Sequence, residues 1–305
     1  MPLPERIDPR AFDELHDEPA RWREVVASIA AEHSAAPMRP ASEGTVLVGL
    51  VGDEIVVKLY PPFLRDHFVF EQAMLARLHG RLSVPTPRLL ASGEREGWPY
   101  LVMTQLAGEP MTRAWPLLPE REKCRVLAAI GRLAAEVHAL PVGSQAALAP
   151  EWPAFLSGQR ARCWQRQQRT GLPAHLLDRV QAFVAGPVPE GPAVLLTGEY
   201  TPMNLLHGGA GAEAGLAGMY DFGDGLVGPR EYDWLGPLSF LAAGHAARCD
   251  AFMDGYGAGA WRPQRQALLR MLLLHRYSHL PVQLASCPGW DQAPSFEALA
   301  EAIWP

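Results

Sequence analysis

Leu195-Leu196-Thr197-Gly198-Glu199-Tyr200-Thr201-Pro202-Met203-Asn204-Leu205-Leu206 sets a carboxylate and an amide, five positions apart, between two apolar runs. The pattern predicts a loop buried at both ends and polar in its middle. In such a loop Glu199 is placed to orient an acceptor group or receive its proton, and Asn204 to ligate a metal; an uneventful turn is the alternative. Seventeen residues after Asn204, Tyr220-Asp221-Phe222-Gly223-Asp224 ends another apolar strand with an emerging carboxylate. Asp221 offers the hard oxygen that suits Mg²⁺, whereas Asp224 is either a further ligand or a turn former.

Upstream, the chain supplies what such a pair of loops would need. Met38 to Ala41, Thr45 to Val51 and Ile55 to Tyr60 read as β-branched and apolar strands, with Gly52-Asp53 as a turn and Pro61-Pro62 as a stop. Lys58 lies in the last of these, pointing either into a cleft or to solvent. Phe70, Met74, Leu75 and Leu78 recur at helical spacing over Asp66 to Leu78, ahead of Gly80. Glu71 sits on that helix, 13 residues after Lys58, where it is either a surface charge or a partner for the lysine. Pro85 to Leu90 and Tyr100 to Gln105 read as short extended segments flanking a turn-rich Ser92 to Pro99. A cation for phosphates, oxygen ligands for Mg²⁺ and a carboxylate for the acceptor hydroxyl are the parts that phosphoryl transfer requires.

Beyond Gly108 the pattern turns helical. Glu120 to Leu140 carries Val126, Leu127, Ile130, Leu133, Ala134, Val137 and Leu140 on one stripe, with Pro141 as terminator. Trp152 to Gln168, Ala174 to Val184, Tyr232 to Ala247 and Gln264 to Leu280 are further helices by periodicity. Ala193 to Leu206 and Leu216 to Phe222 are strand-like.

In this order the motifs resemble those of the aminoglycoside phosphotransferase family. Thr197-Gly198-Glu199 through Asn204 has the spacing of that family's H-G-D-x-x-x-x-N loop. Tyr220-Asp221-Phe222-Gly223 through Gly228-Pro229-Arg230-Glu231-Tyr232-Asp233-Trp234 is similar to its metal-binding strand and G-x-x-x-Y-D segment. Leu101 to Pro110 resembles its interlobe hinge, and Leu133 to Leu140 its helix ending in Leu-His. The resemblance implies an α+β, bilobal protein-kinase-like fold: an extension over 1–37, a β-rich nucleotide-binding lobe over 38–107 and a mainly helical lobe over 108–305. It implies ATP and Mg²⁺ as cofactors, with Lys58, positioned by Glu71, on the phosphates, backbone amides at Gln105 and Ala107 on the base, Asn204 and Asp221 on the metal, and Glu199 as catalytic carboxylate. The acceptor would be a small-molecule hydroxyl, first of all on an aminoglycoside-type antibiotic, with an amino alcohol or sugar as alternative. Three positions depart from the family pattern. Glu199 stands for Asp, Thr197 stands for His, and Ser42-Glu43-Gly44-Thr45 offers a single glycine where a Gly-rich loop is usual. The longer carboxylate leaves open a nucleotide-binding pseudokinase.

Composition narrows the field without naming a substrate. The 305 residues are 48% hydrophobic and 20% charged, with 28 Gly and 29 Pro, which fits a globular chain with many turns. The net charge of -6 and the lack of a basic stripe argue against nucleic acid. The first 18 residues are charged where a signal peptide is apolar, and no uninterrupted apolar run of membrane length occurs. Four scattered cysteines suit reduced thiols, so a cytoplasmic protein that engages no membrane is expected. His275 and His279, four apart in the last helical pattern, lack the H-E-x-x-H context of a zinc site, and no G-x-S-x-G elbow occurs.

Overall fold

In the computed structural model, residues 3–41, 44–198, 200–209 and 215–305 are described. They divide into two compact units, one running to Ala107 and including Gly218–Asp224, the other formed by Gly108–Ala217 and Gly225–Pro305.

The first unit begins with α1 (Pro9–His16) and α2 (Arg23–Ala31), followed by β1 (Met38–Pro40), β2 (Leu47–Val51), β3 (Ile55–Leu59), α3 (Arg65–Leu78), β4 (Leu89–Arg95) and β5 (Trp98–Thr104). The strands form one antiparallel sheet in the order β1-β2-β3-β5-β4. Because side chains alternate along a strand, β3 divides its residues between two faces. Val57 and Leu59 join Val51, Trp98 and Val102 in a core with Phe12, Leu15, Trp22, Val25, Val26 and Ile29 of α1 and α2. The charged N-terminal segment thus covers one face of the sheet, tied down further by the Trp98 indole, which donates to the Pro4 carbonyl at 2.9 Å. Lys58 and Tyr60 belong to the opposite set.

The turn-rich reading of Ser92 to Pro99 is corrected by the structure. Ser92 pairs with Leu101 and Arg95 with Trp98, so the ladder runs almost to the tip. Only Glu96 and Gly97 turn, with φ of 54° and 81°, the two positive values that a tight hairpin needs to match strand twist. Gly93 and Pro99 are unusual strand residues, and they masked the ladder.

The second unit contains β6 (Glu109–Pro110), α4 (Met111–Ala114), α5 (Glu120–Ala139), α6 (Trp152–Arg169), α7 (Ala174–Val184), β7 (Ala193–Leu196), β8 (Leu205–Gly208), β9 (Gly215–Met219), β10 (Leu226–Pro229), α8 (Glu231–Gly236), α9 (Ala246–Tyr256), α10 (Arg265–Leu274), α11 (Leu280–Gln283) and α12 (Phe296–Ile303). The end of β9 and the residues after it cluster with the first unit. β7 pairs with β10, and β8 lies between β6 and β9. The apolar stripe of α5 is buried from Val126 to Val137. Two glycines let α5 and α9 approach closely: a Cβ at Gly131 would lie 2.2 Å from the Phe252 carbonyl oxygen, and one at Gly255 2.2 Å from that of Ala128.

Two long helices expected from periodicity are broken. Tyr232 to Ala247 splits into α8, a wide turn at Pro237–Leu241, and α9. Gln264 to Leu280 ends as helix at Leu274, since His275 has ψ of 142°. The cause is local competition for backbone groups. The Leu273 carbonyl accepts from Arg166 Nη2 at 3.0 Å and Gln167 Nε2 at 3.1 Å, while the Tyr277 amide that would continue the helix donates to His275 Nδ1 at 3.2 Å. His279 caps α11, accepting from the Val282 amide at 3.3 Å, so the two histidines do not share a helix. Cys124, Cys163, Cys249 and Cys287 are free thiols.

Candidate active site

In the first unit, β3 carries Lys58 onto the sheet face opposite the α1–α2 core, where α3 supplies Glu71. Lys58 Nζ lies 2.8 and 3.0 Å from the two Glu71 carboxylate oxygens and 2.6 Å from Asp221 Oδ1. The Lys58 and Glu71 side chains are 9% and 1% exposed, so the pair is dry, whereas Asp221 is 32% exposed and reaches solvent. Tyr60, two residues along the same strand face, donates its hydroxyl to Glu71 Oε2, and the Phe222 amide donates to Glu71 Oε1 at 3.4 Å. Glu71 therefore gathers ammonium, phenol and backbone donors, as a buried carboxylate must. Burial works against charge on Lys58, but the Asp221 and Glu71 carboxylates more than offset it and hold the ammonium well above its ordinary range. Burial raises the Glu71 carboxyl, opposed by Lys58 and reinforced by Asp221. The Tyr60 hydroxyl is pushed well up by burial and then by Glu71, which keeps it a donor.

Asp221 adopts φ of 69°, one of two non-glycine residues with positive φ among those described. Such a conformation costs of order 1 kcal/mol or more and persists where surroundings hold it; here the hold is the Lys58 ammonium. Three residues on, Asp224 Oδ1 lies 3.3 Å from His67 Nδ1 on α3. Lys58, Glu71 and Asp221 are thus brought together, as phosphate and metal groups would need to be. At the end of this unit the Gln105 amide already donates to the Glu54 carbonyl at 2.7 Å. Ala107 is exposed.

In the second unit the polar loop leaves β7 at Leu196, with Leu195 and Leu196 fully buried. Asp233 on α8 fixes its first turn. One carboxylate oxygen accepts from the Gly198 amide at 2.8 Å, and the other from the Thr197 amide and His138 Nε2, both at 3.0 Å. Thr197 Oγ1 is 3.4 Å away, and His138 Nδ1 in turn meets the Tyr256 hydroxyl at 2.9 Å. Gly198 has φ of 81°, which a side chain would resist. Asn204 is 6% exposed, its amide donating to the Thr201 carbonyl at 3.1 Å. Glu199 lies outside the described residues, as do Ser42 and Glu43.

Tyr60, Asp233 and Tyr256 are site residues that motif spacing did not single out as supports. Tyr60 was signalled only by its i+2 position from Lys58. Asp233 is visible in the sequence as the acid of the G-x-x-x-Y-D segment, without the loop it fixes.

Among the described residues no group of three or more His, Cys, Asp or Glu is arranged to hold a metal. The donor types at Asp221 and Asn204, a carboxylate and an amide oxygen, nevertheless fit Mg²⁺, a hard ion that usually takes one or two protein oxygens and completes its shell with water and phosphate. Among the described residues, no helix is long and apolar enough to cross a membrane.

A family model described as the phosphotransferase enzyme family matches residues 35–269. No curated protein matches the sequence. Among solved structures, the GDP complex of aminoglycoside 2'-phosphotransferase-IIIa is 18% identical with a TM-score of 0.70, over 93% of this chain and 98% of that one. The streptomycin–ATP ternary complex of an aminoglycoside 2''-phosphotransferase, APH(2'')-IIa, is 16% identical with a TM-score of 0.61, over 86% and 94%. Macrolide 2'-phosphotransferase from Brachybacterium faecium is 20% identical with a TM-score of 0.58, over 92% and 98%. At these identities the likeness shows the fold, which is α+β and kinase-like.

Proposed function

The chain belongs to the phosphotransferase enzyme family, and from that premise we propose that it transfers the γ-phosphoryl group of ATP to a hydroxyl of an aminoglycoside-type small molecule. The observation that carries this reading is the dry Lys58–Glu71 pair with Asp221 against it. A structural ion pair has no need of a second, solvent-reaching carboxylate held at positive φ; a phosphate-binding lysine beside a metal ligand does.

In this reading Glu71 and Tyr60 hold the Lys58 ammonium in place, and Lys58 binds the phosphates. Asp221 and Asn204 would hold Mg²⁺, which when bound neutralises charge on the phosphoryl oxygens. Glu199 orients the acceptor hydroxyl and takes up its proton. Asp233 keeps the turn before Glu199 in a fixed shape through Thr197 and Gly198. Positioning and charge compensation then supply most of the rate, with no covalent enzyme intermediate.

The acceptor assignment draws support from the compounds named with the structural neighbours and from the net charge of -6. Glu231 adds to it: its side chain is 7% exposed, one oxygen lies 3.3 Å from Arg230 Nε, and the other is buried with no hydrogen-bond partner. An ammonium group would satisfy that oxygen. The test is phosphate transfer from γ-labelled ATP across aminoglycosides, macrolides, amino alcohols and sugars, with Mg²⁺. Labelled aminoglycoside supports the full reading, a label on another alcohol replaces the acceptor, and nucleotide binding without transfer to any of them favours a pseudokinase.

A further inference from the structure

Asp224 has no part in the proposed mechanism, and its sequence context leaves it either a metal ligand or a turn former. In the structure it faces α3. His67 and Glu71 stand one helical turn apart on the same side of that helix, and the segment Asp221–Asp224 lies across them. Its near end is fixed at Lys58 and Glu71: Lys58 Nζ meets Asp221 Oδ1 at 2.6 Å, and the Phe222 amide donates to Glu71 Oε1 at 3.4 Å. Gly223 then passes close to the helix, where a Cβ would sit 3.5 Å from both Glu71 Oε2 and the His67 Cβ, ordinary van der Waals contact. At the far end His67 Nδ1 lies 3.3 Å from Asp224 Oδ1. Successive residues of the turn therefore meet Lys58, Glu71 and His67 in order, all within the first unit.

The far contact is not that of a loose surface pair. The Asp224 side chain is 15% exposed and that of His67 29%, so water and salt, which reduce fully exposed pairs to little, reach this one only in part. An ionised carboxylate offers acceptors alone, so the ring nitrogen that faces it carries a proton, in the neutral ring and the cation alike.

What the far end secures is the shape of the near end. Asp221 holds φ of 69°, a conformation that persists where its surroundings impose it. Lys58 imposes it from one side, but in the proposed mechanism Lys58 is also the group on which the phosphates draw. A turn held by that ammonium alone would loosen as nucleotide entered. A turn pinned at Asp224, and by the fully buried Phe222 side chain, keeps a hold for which the phosphates do not compete.

We propose that His67 is a positioning residue for phosphoryl transfer: through Asp224 it pins the Asp221–Asp224 turn to α3 and so keeps the Asp221 carboxylate in place to ligate Mg²⁺. The inference rests on Asp221 being the metal ligand of the proposed reaction. Asp224 is then the other half of the fastening and not a further ligand. Groups that orient a metal ligand without touching the metal are worth about 10- to 100-fold in metal affinity or activity.

Three substitutions separate this contact from general packing. His67→Leu removes the donor, His67→Asn returns an amide N–H at the Nδ1 position, and Asp224→Ala removes the acceptor. Without nucleotide or metal, hydrogen exchange of the 221–224 amides should quicken about 10-fold in His67→Leu and Asp224→Ala and stay within about twofold of the parent in His67→Asn, with the amides of α5 unchanged throughout. With ATP and acceptor, the Mg²⁺ concentration for half-maximal turnover should rise about 10-fold in the first two variants, while kcat at saturating Mg²⁺ stays within about threefold of the parent. A lesion that merely loosened the fold would lower kcat at every Mg²⁺ concentration. The double variant His67→Leu/Asp224→Ala should be no worse than either single one, because both remove the same contact. Unchanged exchange and Mg²⁺ requirement in His67→Leu, equal loss in the Leu and Asn variants, or a loss of kcat that saturating Mg²⁺ does not restore overturns the proposal and leaves the phosphotransferase reading standing. Conversely, a parent protein that phosphorylates no acceptor sinks that reading, and the exchange rates, which need no turnover, still decide whether His67 pins the turn.

Discussion

Replacing Lys58 with Met removes the cation from a site where two carboxylates face it, with little change in side-chain length. At an effective dielectric of about 20, the 2.8 Å contact with Glu71 corresponds to about 6 kcal/mol of gross attraction, most of it offset by desolvation of both groups. The measurable quantity is the cost of stranding the partner, about 3–5 kcal/mol for a buried pair. Its pH dependence follows from Glu71. Burial, the largest influence, and Asp221 raise the Glu71 carboxyl, while Lys58 and the Tyr60 hydrogen bond lower it; with Lys58 gone the main lowering influence is lost and the carboxyl moves further up. A carboxyl raised in the folded state favours folding most below its unfolded value, and that contribution is lost as pH rises through the folded value. The deficit of Lys58→Met should therefore be smaller by about 1 kcal/mol or more at about pH 5 than at about pH 8, because acidification favours the protonated Glu71 carboxyl. Urea unfolding of parent and variant at the two pH values measures both numbers. A deficit independent of pH, or one that grows on acidification, would refute the assignment of Glu71 as the stranded charge.

Tyr60→Phe deletes the phenol that donates to Glu71; stability should drop by about 1–2 kcal/mol and KM for ATP should rise, read by calorimetry and steady-state kinetics. Gly255→Ala forces a methyl group to within 2.2 Å of the Ala128 carbonyl oxygen, and the expected loss is about 1–3 kcal/mol; an unchanged thermal midpoint would mean that α5 and α9 are not in tight contact. Asp233→Asn weakens the hold on Thr197, Gly198 and His138 together, so turnover should fall about 100-fold while nucleotide still protects against thermal unfolding.

The sheet, α3 and α5 were legible in the sequence because their apolar periods are strong and their stops are glycines and prolines. The β4–β5 ladder was not, because Gly93 and Pro99 occupy strand positions whose geometry is imposed by pairing between β4 and β5 and not by local preference. α10 was overread at its C-terminal end, since the capture of the Leu273 carbonyl by Arg166 and Gln167 comes from a helix more than 100 residues earlier in the chain. At the site, Lys58, Glu71 and Asp221 could be nominated from residue type and order. Their supports could not: Tyr60 is an aromatic among strand aromatics, and its hydrogen bond to Glu71 leaves no spacing signature.

Asp221 carries the central claim, because in the proposed mechanism it is the carboxylate that would link the lysine to a metal. The decisive measurement is transfer of ³²P from γ-labelled ATP to an acceptor, with Mg²⁺, by the parent and by Asp221→Ala. The parent should label an alcohol acceptor, and the variant should stay folded yet transfer nothing above background. Equal labelling by both proteins would contradict the account.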